Sequence, residues 1–117
     1  MISSFKKALD SGKFVVTCEL APPKGTNLEQ TAHHIELLKD KVDAMNLTDH
    51  QSSVMRYPSI GGALMVKEMG GEPILQMTCR DRNRLAIQAD ILSANALGVS
   101  NIMAIQGDDI RFGDHPQ

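Results

Sequence analysis

The 117-residue chain can form one domain with a modest core, and its 42% apolar and 22% charged residues exclude a disordered protein. A net charge of −2 and an aromatic content of 3% disfavour nucleic-acid binding, which generally uses a basic face and stacking rings. No apolar run approaches the roughly 20 residues that span a membrane, and the N-terminus lacks the apolar core of a secretory signal. These features predict a protein without a membrane partner. The two cysteines, Cys18 and Cys79, have no CxxC spacing, and this sparse use of cysteine predicts a reducing, cytoplasmic environment.

The first part of the chain predicts a helix, a strand and a second helix. Residues 3–11 have helical spacing, and the β-branched run 14–20 indicates a buried strand. A proline-rich loop, 21–25, follows this strand and excludes regular structure there. The next helix can be capped by Thr26 or Asn27, because both side chains can accept a hydrogen bond from the first turn.

The rest of the chain continues the alternation. Pro58 suits the first turn of a helix that runs to Met69, and Asn83 can cap a later helix. The apolar residues of that later helix are predicted to form its buried stripe: Leu85, Ala89, Leu92 and Ala96. The remaining strands are predicted near residues 43–48, 73–78 and 100–106.

This order of elements predicts an α/β fold in which parallel strands are joined by right-handed crossovers. The strands start at Phe14, Asp43, Pro73 and Asn101, at intervals of 29, 30 and 28 residues, and this regular period favours a (β/α)8 TIM barrel. Four βα units are half of such a barrel, so residues 1–117 are predicted to be a single partial domain, the N-terminal half. We expect either a fragment of a longer enzyme or half-barrels that pair with each other or with a missing portion.

Polar residues end each predicted strand in pairs that share one face. Side chains alternate along a strand, so residues two positions apart point the same way. Parallel strands bring their carboxyl ends to one edge, and these pairs are therefore predicted to line a common pocket. The pairs are Thr17/Glu19, Asn46/Thr48, Gln76/Thr78 and Gln106/Asp108.

Two carboxylates are the candidate catalytic groups. Glu19 lies at the inner end of an apolar strand, where burial would favour the protonated form that a general acid needs. The ordinary alternative is a strand-end glutamate that reaches solvent or pairs with Lys24. Asp108 follows Gly107, a common turn combination, and its position two residues after Gln106 favours a role in the pocket.

The uncharged side chains at the strand ends suit a planar heterocycle with donors and acceptors on its edges. Thr48, Gln76 and Thr78 can donate and accept, although strand-end threonines often bond only to neighbouring backbone. No metal site is predicted, because the histidines and the two cysteines lack the spacing of ligand pairs. The basic run 80–84 holds three arginines; such runs are usually solvated surface, but at a pocket mouth one could bind a phosphate or carboxylate.

Together these motifs resemble the methylenetetrahydrofolate reductase family. Residues 18–24, Cys-Glu-Leu-Ala-Pro-Pro-Lys, resemble its Glu-Phe-Phe-Pro-Pro-Lys segment, and Asn46-Leu47-Thr48 resembles the segment of its second-strand threonine. Residues 76–79, Gln-Met-Thr-Cys, resemble its His-Leu-Thr-Cys, and Gln106-Gly107-Asp108 resembles its Arg-Gly-Asp. The order and separations agree over residues 13–109.

The resemblance implies a TIM-barrel oxidoreductase of one-carbon folate metabolism that holds a non-covalent flavin, FAD or alternatively FMN. In that family reduced flavin passes a hydride to 5,10-methylenetetrahydrofolate, and the 5-methyltetrahydrofolate formed serves methionine biosynthesis. The resemblance implies that Glu19 is the general acid that opens the folate ring and that Asp108 lies beside the flavin and the pterin, so that both contact substrate. The implied flavin-binding residues are Thr48, Gln76, Gln106, Gly107 and Asp108.

The sequence departs from the family pattern near this site. Gln76 replaces a histidine and Gln106 an arginine, and the loss of a cation near the flavin would change its redox potential or its binding. Leu20-Ala21 replaces a Phe-Phe pair beside Glu19. Some members from anaerobic acetogens diverge in this way and work with partner subunits, so the electron donor stays open among NADH, NADPH, ferredoxin and a partner subunit.

Two other functions stay open. One is a flavin-free, folate-binding methyltransferase-type barrel, and the other is a non-catalytic half-barrel that serves as a subunit. The expected partners are a folate substrate and, at the open side of the barrel, a second copy, a missing half-barrel or an electron-transfer subunit. The 117-residue chain alone is expected to lack full activity.

Overall fold

The computed structural model describes residues 2–117 and contains one four-stranded parallel sheet. The strands lie side by side in chain order, with the helices between them, so the α/β fold predicted from the sequence is confirmed. This arrangement matches the first βα units of a TIM barrel. The strands are β1 (Thr17–Leu20), β2 (Ala44–Leu47), β3 (Pro73–Thr78) and β4 (Ile102–Ile105).

Four α-helices connect or flank these strands, and two short 3-10 helices follow β2 and β4. The α-helices are α1 (Ser4–Asp10), α2 (Glu29–Leu38), α3 (Ser59–Glu68) and α4 (Arg84–Ala96), and the 3-10 helices are Gln51–Ser53 and Ile110–Phe112. Asn83 caps α4 as predicted, because its Oδ1 accepts a hydrogen bond from the Ala86 N–H at 2.9 Å. Asn27 accepts from the Glu29 N–H at 3.0 Å, although Leu28 is the capping residue of α2.

The core lies between one face of the sheet and the helices. Alternate residues of β2 and β3 are buried on that face, and they contact buried side chains of α2, α3 and α4. Apolar area removed from water stabilises this layer at roughly 25 cal/mol per Å². The buried core residues are Leu20, Ile35, Met45, Leu47, Ala63, Val66, Leu75, Met77, Ala94 and Val99.

Two glycines inside α3 mark places where the helix approaches other groups closely. A Cβ at Gly62 would lie 2.9 Å from the Cδ1 of Leu47, which is fully buried in β2. A Cβ at Gly61 would lie 2.5 Å from the Tyr57 ring. The helix predicted here is confirmed, and these contacts explain why it tolerates residues of low helix propensity.

The first strand is shorter than the sequence predicts. It begins at Thr17, which pairs with Ala44, whereas Phe14 is 90% exposed. The backbone just before β1 is held by a side chain instead, since Asp43 Oδ2 accepts from the Val16 N–H at 3.0 Å. The apolar run therefore extends beyond the part of β1 that finds a neighbouring strand.

The predicted apolar stripe of α4 is wrong. Leu85 and Leu92 are 76% and 72% exposed, and the helix instead turns Ile87 and Ala94 toward the core. The helix therefore has apolar residues on two faces, and spacing alone does not distinguish the face that meets the sheet. Ile102 and Met103 of β4, the last strand in the sheet order, are also exposed, at 41% each.

Within residues 2–117, none of the helices has the length and apolar character that crossing a membrane requires. The same residues contain no group of three or more His, Cys, Asp or Glu side chains placed to hold a metal ion.

The cap of α4 gives a test of the fold. Asn83→Ala removes the acceptor for the Ala86 N–H, and we expect the free energy of unfolding to fall by about 1 kcal/mol in urea titrations. Asn95→Ala, in the exposed last turn of the same helix, is the control and is expected to change stability by less than about 0.5 kcal/mol. Equal effects of the two substitutions would contradict the capping role.

Candidate functional site

A cleft of ≈ 220 Å³ lies at the carboxyl ends of the four strands. Each strand, or the loop that follows it, contributes side chains to this cleft, which is the arrangement expected of a parallel α/β site. The structure therefore brings together five of the six residues that were assigned a catalytic or binding role, namely Glu19, Thr48, Gln76, Gly107 and Asp108. The lining residues are Glu19, Thr48, Asp49, Gln51, Gln76, Thr78, Arg80, Ile105, Gly107 and Asp108.

Gln106 lies on the opposite face from the one predicted. Thr78 pairs with Ile105 in the sheet, so the Ile105 side chain points to the same side as Thr78, toward the cleft. Gln106, the next residue, faces α4 beside Ile87 and Ile91. Asp108 still reaches the cleft because β4 ends at Ile105 and Gly107, with φ +88°, turns the chain. Gln106 also borders a neighbouring hollow of ≈ 460 Å³ that shares Gly107 and Asp108 with the cleft.

Glu19 lies near the end of β1, opposite Asn46 of β2. Its side chain is exposed, so the buried setting predicted from the apolar strand is not found in residues 2–117. The carboxylate faces the cleft and remains open to a molecule bound there.

The loop after β1 is held by the two prolines. The Pro23 carbonyl accepts from the Tyr57 N–H at 2.7 Å, and the Pro22 carbonyl accepts from Arg56 Nη1 at 3.4 Å. Pro22 is also fully buried, so the loop that follows Glu19 is fixed against the start of α3.

Amide side chains form a short chain of hydrogen bonds across the floor of the cleft. Gln76 Nε2 donates to Asn46 Oδ1 at 3.4 Å, and Asn46 Nδ2 donates to the Cys18 carbonyl at 3.3 Å. Beside them, Thr48 is 3% exposed and its Oγ1 has no hydrogen-bond partner among residues 2–117. A buried hydroxyl without a partner is costly, and a bound molecule with a polar edge would satisfy it.

Asp108 is held by an unusual backbone segment. Its Oδ2 accepts a 2.6 Å hydrogen bond from the Ser52 N–H. Three non-glycine residues of that segment have positive φ angles: His50 at 50°, Ser52 at 59° and Ser53 at 58°. Such conformations cost about 1–3 kcal/mol each and are found most often at functional sites.

A family model described as methylenetetrahydrofolate reductase matches residues 4–117. The chain belongs to the methylenetetrahydrofolate reductase family. A comparison with curated proteins gives no match. Membership identifies the chain as part of a folate-related oxidoreductase family with a TIM-barrel fold, and it confirms the resemblance that the strand-end motifs indicated.

Members of the methylenetetrahydrofolate reductase family generally bind a flavin, and the cleft fits such a group. Thr48 offers an unsatisfied hydroxyl, and Gln76 offers an amide that can both donate and accept. The individual roles of Thr48, Gln76, Gln106, Gly107 and Asp108 toward flavin stay predictions.

The sequence did not identify Asp49 as part of the site. Its carboxylate is fully buried and accepts from the Thr78 N–H at 2.8 Å and from Arg82 Nη1 at 2.5 Å, while Arg82 Nη2 donates to the other oxygen at 3.2 Å. Opposite charges after neighbouring strands, Asp49 after β2 and Arg82 after β3, were the signal that could have revealed this pair.

The arginine run after β3 is engaged within the protein. Arg82 bonds Asp49 and Asp90, and Arg80 donates to Asp81, to the Asp108 carbonyl and to the His50 carbonyl. These two guanidinium groups therefore organise the loops around the cleft. Arg84 is exposed at the start of α4.

Burial of Asp49 acts to raise the pKa of its carboxyl group. The hydrogen bonds from Arg82 and from the Thr78 N–H outweigh burial, and they hold this pKa below its usual value. A pKa that is lower in the folded than in the unfolded state stabilises the fold above the unfolded value of about 4, and this stabilisation is lost as the pH falls through the folded value.

Asp49→Asn tests this pair. We expect the free energy of unfolding to fall by about 3 kcal/mol at pH 7, because Arg82 keeps a partly buried charge without its main partner. The difference between wild type and Asp49→Asn should shrink as the pH is lowered below about 4.

Asp90→Asn is the matched control, because Asp90 bonds the same Arg82 at 2.9 Å but is 39% exposed. Its loss should cost less than about 1 kcal/mol. A pH-independent difference between wild type and Asp49→Asn would contradict the lowered pKa.

Proposed function

We propose that the protein is a flavin-dependent reductase that converts 5,10-methylenetetrahydrofolate to 5-methyltetrahydrofolate. The observation that carries this proposal is one cleft lined by Glu19, Asp108 and the unsatisfied hydroxyl of Thr48 in a member of the reductase family. The reaction belongs to one-carbon metabolism in the cytoplasm and supplies methyl groups for methionine.

Glu19 acts as the general acid in this proposal. Opening the five-membered ring of the folate requires a proton on the nitrogen that leaves, so that it departs as a neutral amine and the remaining iminium becomes the electrophile. Glu19 borders the cleft and is not hydrogen-bonded across the sheet by Asn46, whose amide bonds Cys18 and Gln76 instead. Its carboxyl group is therefore available to a substrate.

The cofactor is FAD, with FMN as the alternative. When bound, the reduced flavin supplies the hydride. Thr48 and Gln76 would hold the flavin from the floor of the cleft, and Asp108 borders both the cleft and the neighbouring hollow. Gln76 carries no charge where relatives have histidine, so the flavin potential in this protein is set without that cation.

We propose that the cleft of the 117-residue chain is incomplete and that this chain alone lacks full activity. The outer edge of β4 and the face of α4 that carries Leu85 and Leu92 expose apolar surface, which in a closed barrel lies against further βα units. A second half-barrel, supplied by the same polypeptide or by another subunit, would cover both and exclude water from the site.

The absorption spectrum tests the cofactor. The longest natural form of the protein that contains this chain, purified without added cofactor, should be yellow and show the flavin absorption bands, with about one flavin per barrel. Binding of methyltetrahydrofolate without any flavin, even after incubation with FAD and FMN, would instead indicate the methyltransferase-type barrel. Binding of neither would indicate a non-catalytic subunit.

Glu19→Gln separates the two halves of the reaction. In the same full-length protein we expect folate reduction to fall by at least about 100-fold, because the amide cannot donate the proton. Flavin reduction by its donor should change less than about threefold, since that half needs no acid at the folate ring. Stopped-flow absorbance at the flavin band measures both rates.

Glu36→Gln is the matched control, because Glu36 is an exposed glutamate on α2 that pairs with Lys39 and does not line the cleft. It should leave both rates at their wild-type values. Equal losses in both half-reactions for Glu19→Gln would mean that Glu19 is structural and would contradict its role as the acid.

A further inference from the structure

The orientation of Asp108 depends on the backbone of the segment 50–53. The Ser52 N–H reaches Asp108 Oδ2 at 2.6 Å only while Ser52 keeps its left-handed conformation, with φ 59°. The left-handed region is unfavourable for residues other than glycine, so this segment needs contacts from outside to hold it.

Arg80 supplies one such contact, because its Nη2 donates to the His50 carbonyl at 3.1 Å. The others come from residues 113–114, beyond the short 3-10 helix that follows β4. The Asp114 N–H donates to the Ser53 carbonyl at 3.1 Å, and Asp114 Oδ2 accepts from the Met55 N–H at 2.7 Å. A Cβ at Gly113 would collide with the Ser53 carbonyl oxygen, so only glycine allows this approach. The segment 50–55 is thus bonded on both sides of its left-handed residues.

Neither Gly113 nor Asp114 lines the cleft. Asp108 and Asp114 instead bind the backbone of the same segment at two positions. Asp108 accepts a hydrogen bond from the Ser52 N–H, and Asp114 accepts one from the Met55 N–H. Loss of the bond between Asp114 and the Met55 N–H would therefore loosen the segment that presents the Ser52 N–H to Asp108.

We propose that Gly113 and Asp114 are positioning residues for Asp108. They act by fixing residues 50–55 in the conformation that presents the Ser52 N–H to the Asp108 carboxylate. This inference rests on the proposed function for its catalytic consequence, but the positioning itself is a property of the chain that can be measured without turnover.

The amide resonance of Ser52 in ¹H–¹⁵N NMR spectra reports the positioning directly, because an N–H bonded to a carboxylate shifts when that bond is lost. We expect Asp114→Ala to move this resonance in the same direction as Asp108→Ala, which removes the acceptor of the Ser52 N–H. Asp114→Asn keeps an oxygen acceptor for the Met55 N–H and should restore most of the wild-type shift. Asp10→Ala, which removes an exposed pair with Lys6, should leave the resonance unchanged.

Turnover in the full-length protein gives the second readout. Asp114→Ala should slow folate reduction about tenfold, because a small misplacement of a group at the reacting centre has a large effect on rate. In the Asp108→Ala background the same substitution should cause no further loss, whereas a merely structural role would add its own effect. Asp114→Asn should recover activity to within about threefold of wild type.

The two readouts distinguish the possible failures. A Ser52 resonance that Asp114→Ala leaves in place overturns the positioning inference, whatever the activity. A shifted resonance in a protein that binds no flavin and reduces no folate overturns the proposed function and leaves the positioning intact. Additive losses in the double variant, with the resonance shifted, overturn the claim that Asp114 acts through Asp108.

Discussion

The buried ion pair between Asp49 and Arg82 holds the candidate site together. Asp49 follows Thr48 at the end of β2, and it fixes the end of β3 through the Thr78 N–H and the start of α4 through Arg82. A carboxylate removed from water is stable only with partners of this quality, so the three segments have little freedom to move independently. This ion pair therefore fixes the positions of the strand ends that form the polar floor of the cleft.

The sequence predicts the order of strands and helices correctly, but it does not predict the buried face of α4 or the orientation of Gln106. Period and composition are sufficient for four parallel strands with intervening helices, because apolar runs and caps such as Asn83 act locally. The buried face of α4 could not be predicted, since apolar residues occupy two of its faces and only the packing of the helix against the core selects Ile87 and Ala94. The prediction that Gln106 faces the cleft was wrong for a related reason. Ile105 of β4 pairs with Thr78, and this pairing depends on contacts between segments distant in sequence.

The site follows the same division between local and long-range information. Strand ends place Glu19, Thr48 and Gln76 in one cleft, as alternation along parallel strands requires. The two aspartates beside them are oriented by residues of distant loops, since Arg82 bonds Asp49 and the Ser52 N–H bonds Asp108. No spacing rule links these residues. The exposure of Glu19 also depends on what covers the open side of the barrel, and neither the strand pattern nor its apolar character determines that.

Substitution of Thr48 tests most directly whether this cleft holds the flavin. Thr48→Val keeps the shape of the side chain and removes the hydroxyl that has no partner among residues 2–117. In the full-length protein, fluorescence titration should show flavin affinity about tenfold weaker for Thr48→Val, while Thr48→Ser binds like wild type. The stability of the flavin-free protein should not fall, because the removed hydroxyl was unsatisfied. Wild-type flavin affinity in Thr48→Val would contradict the placement of the cofactor in this cleft.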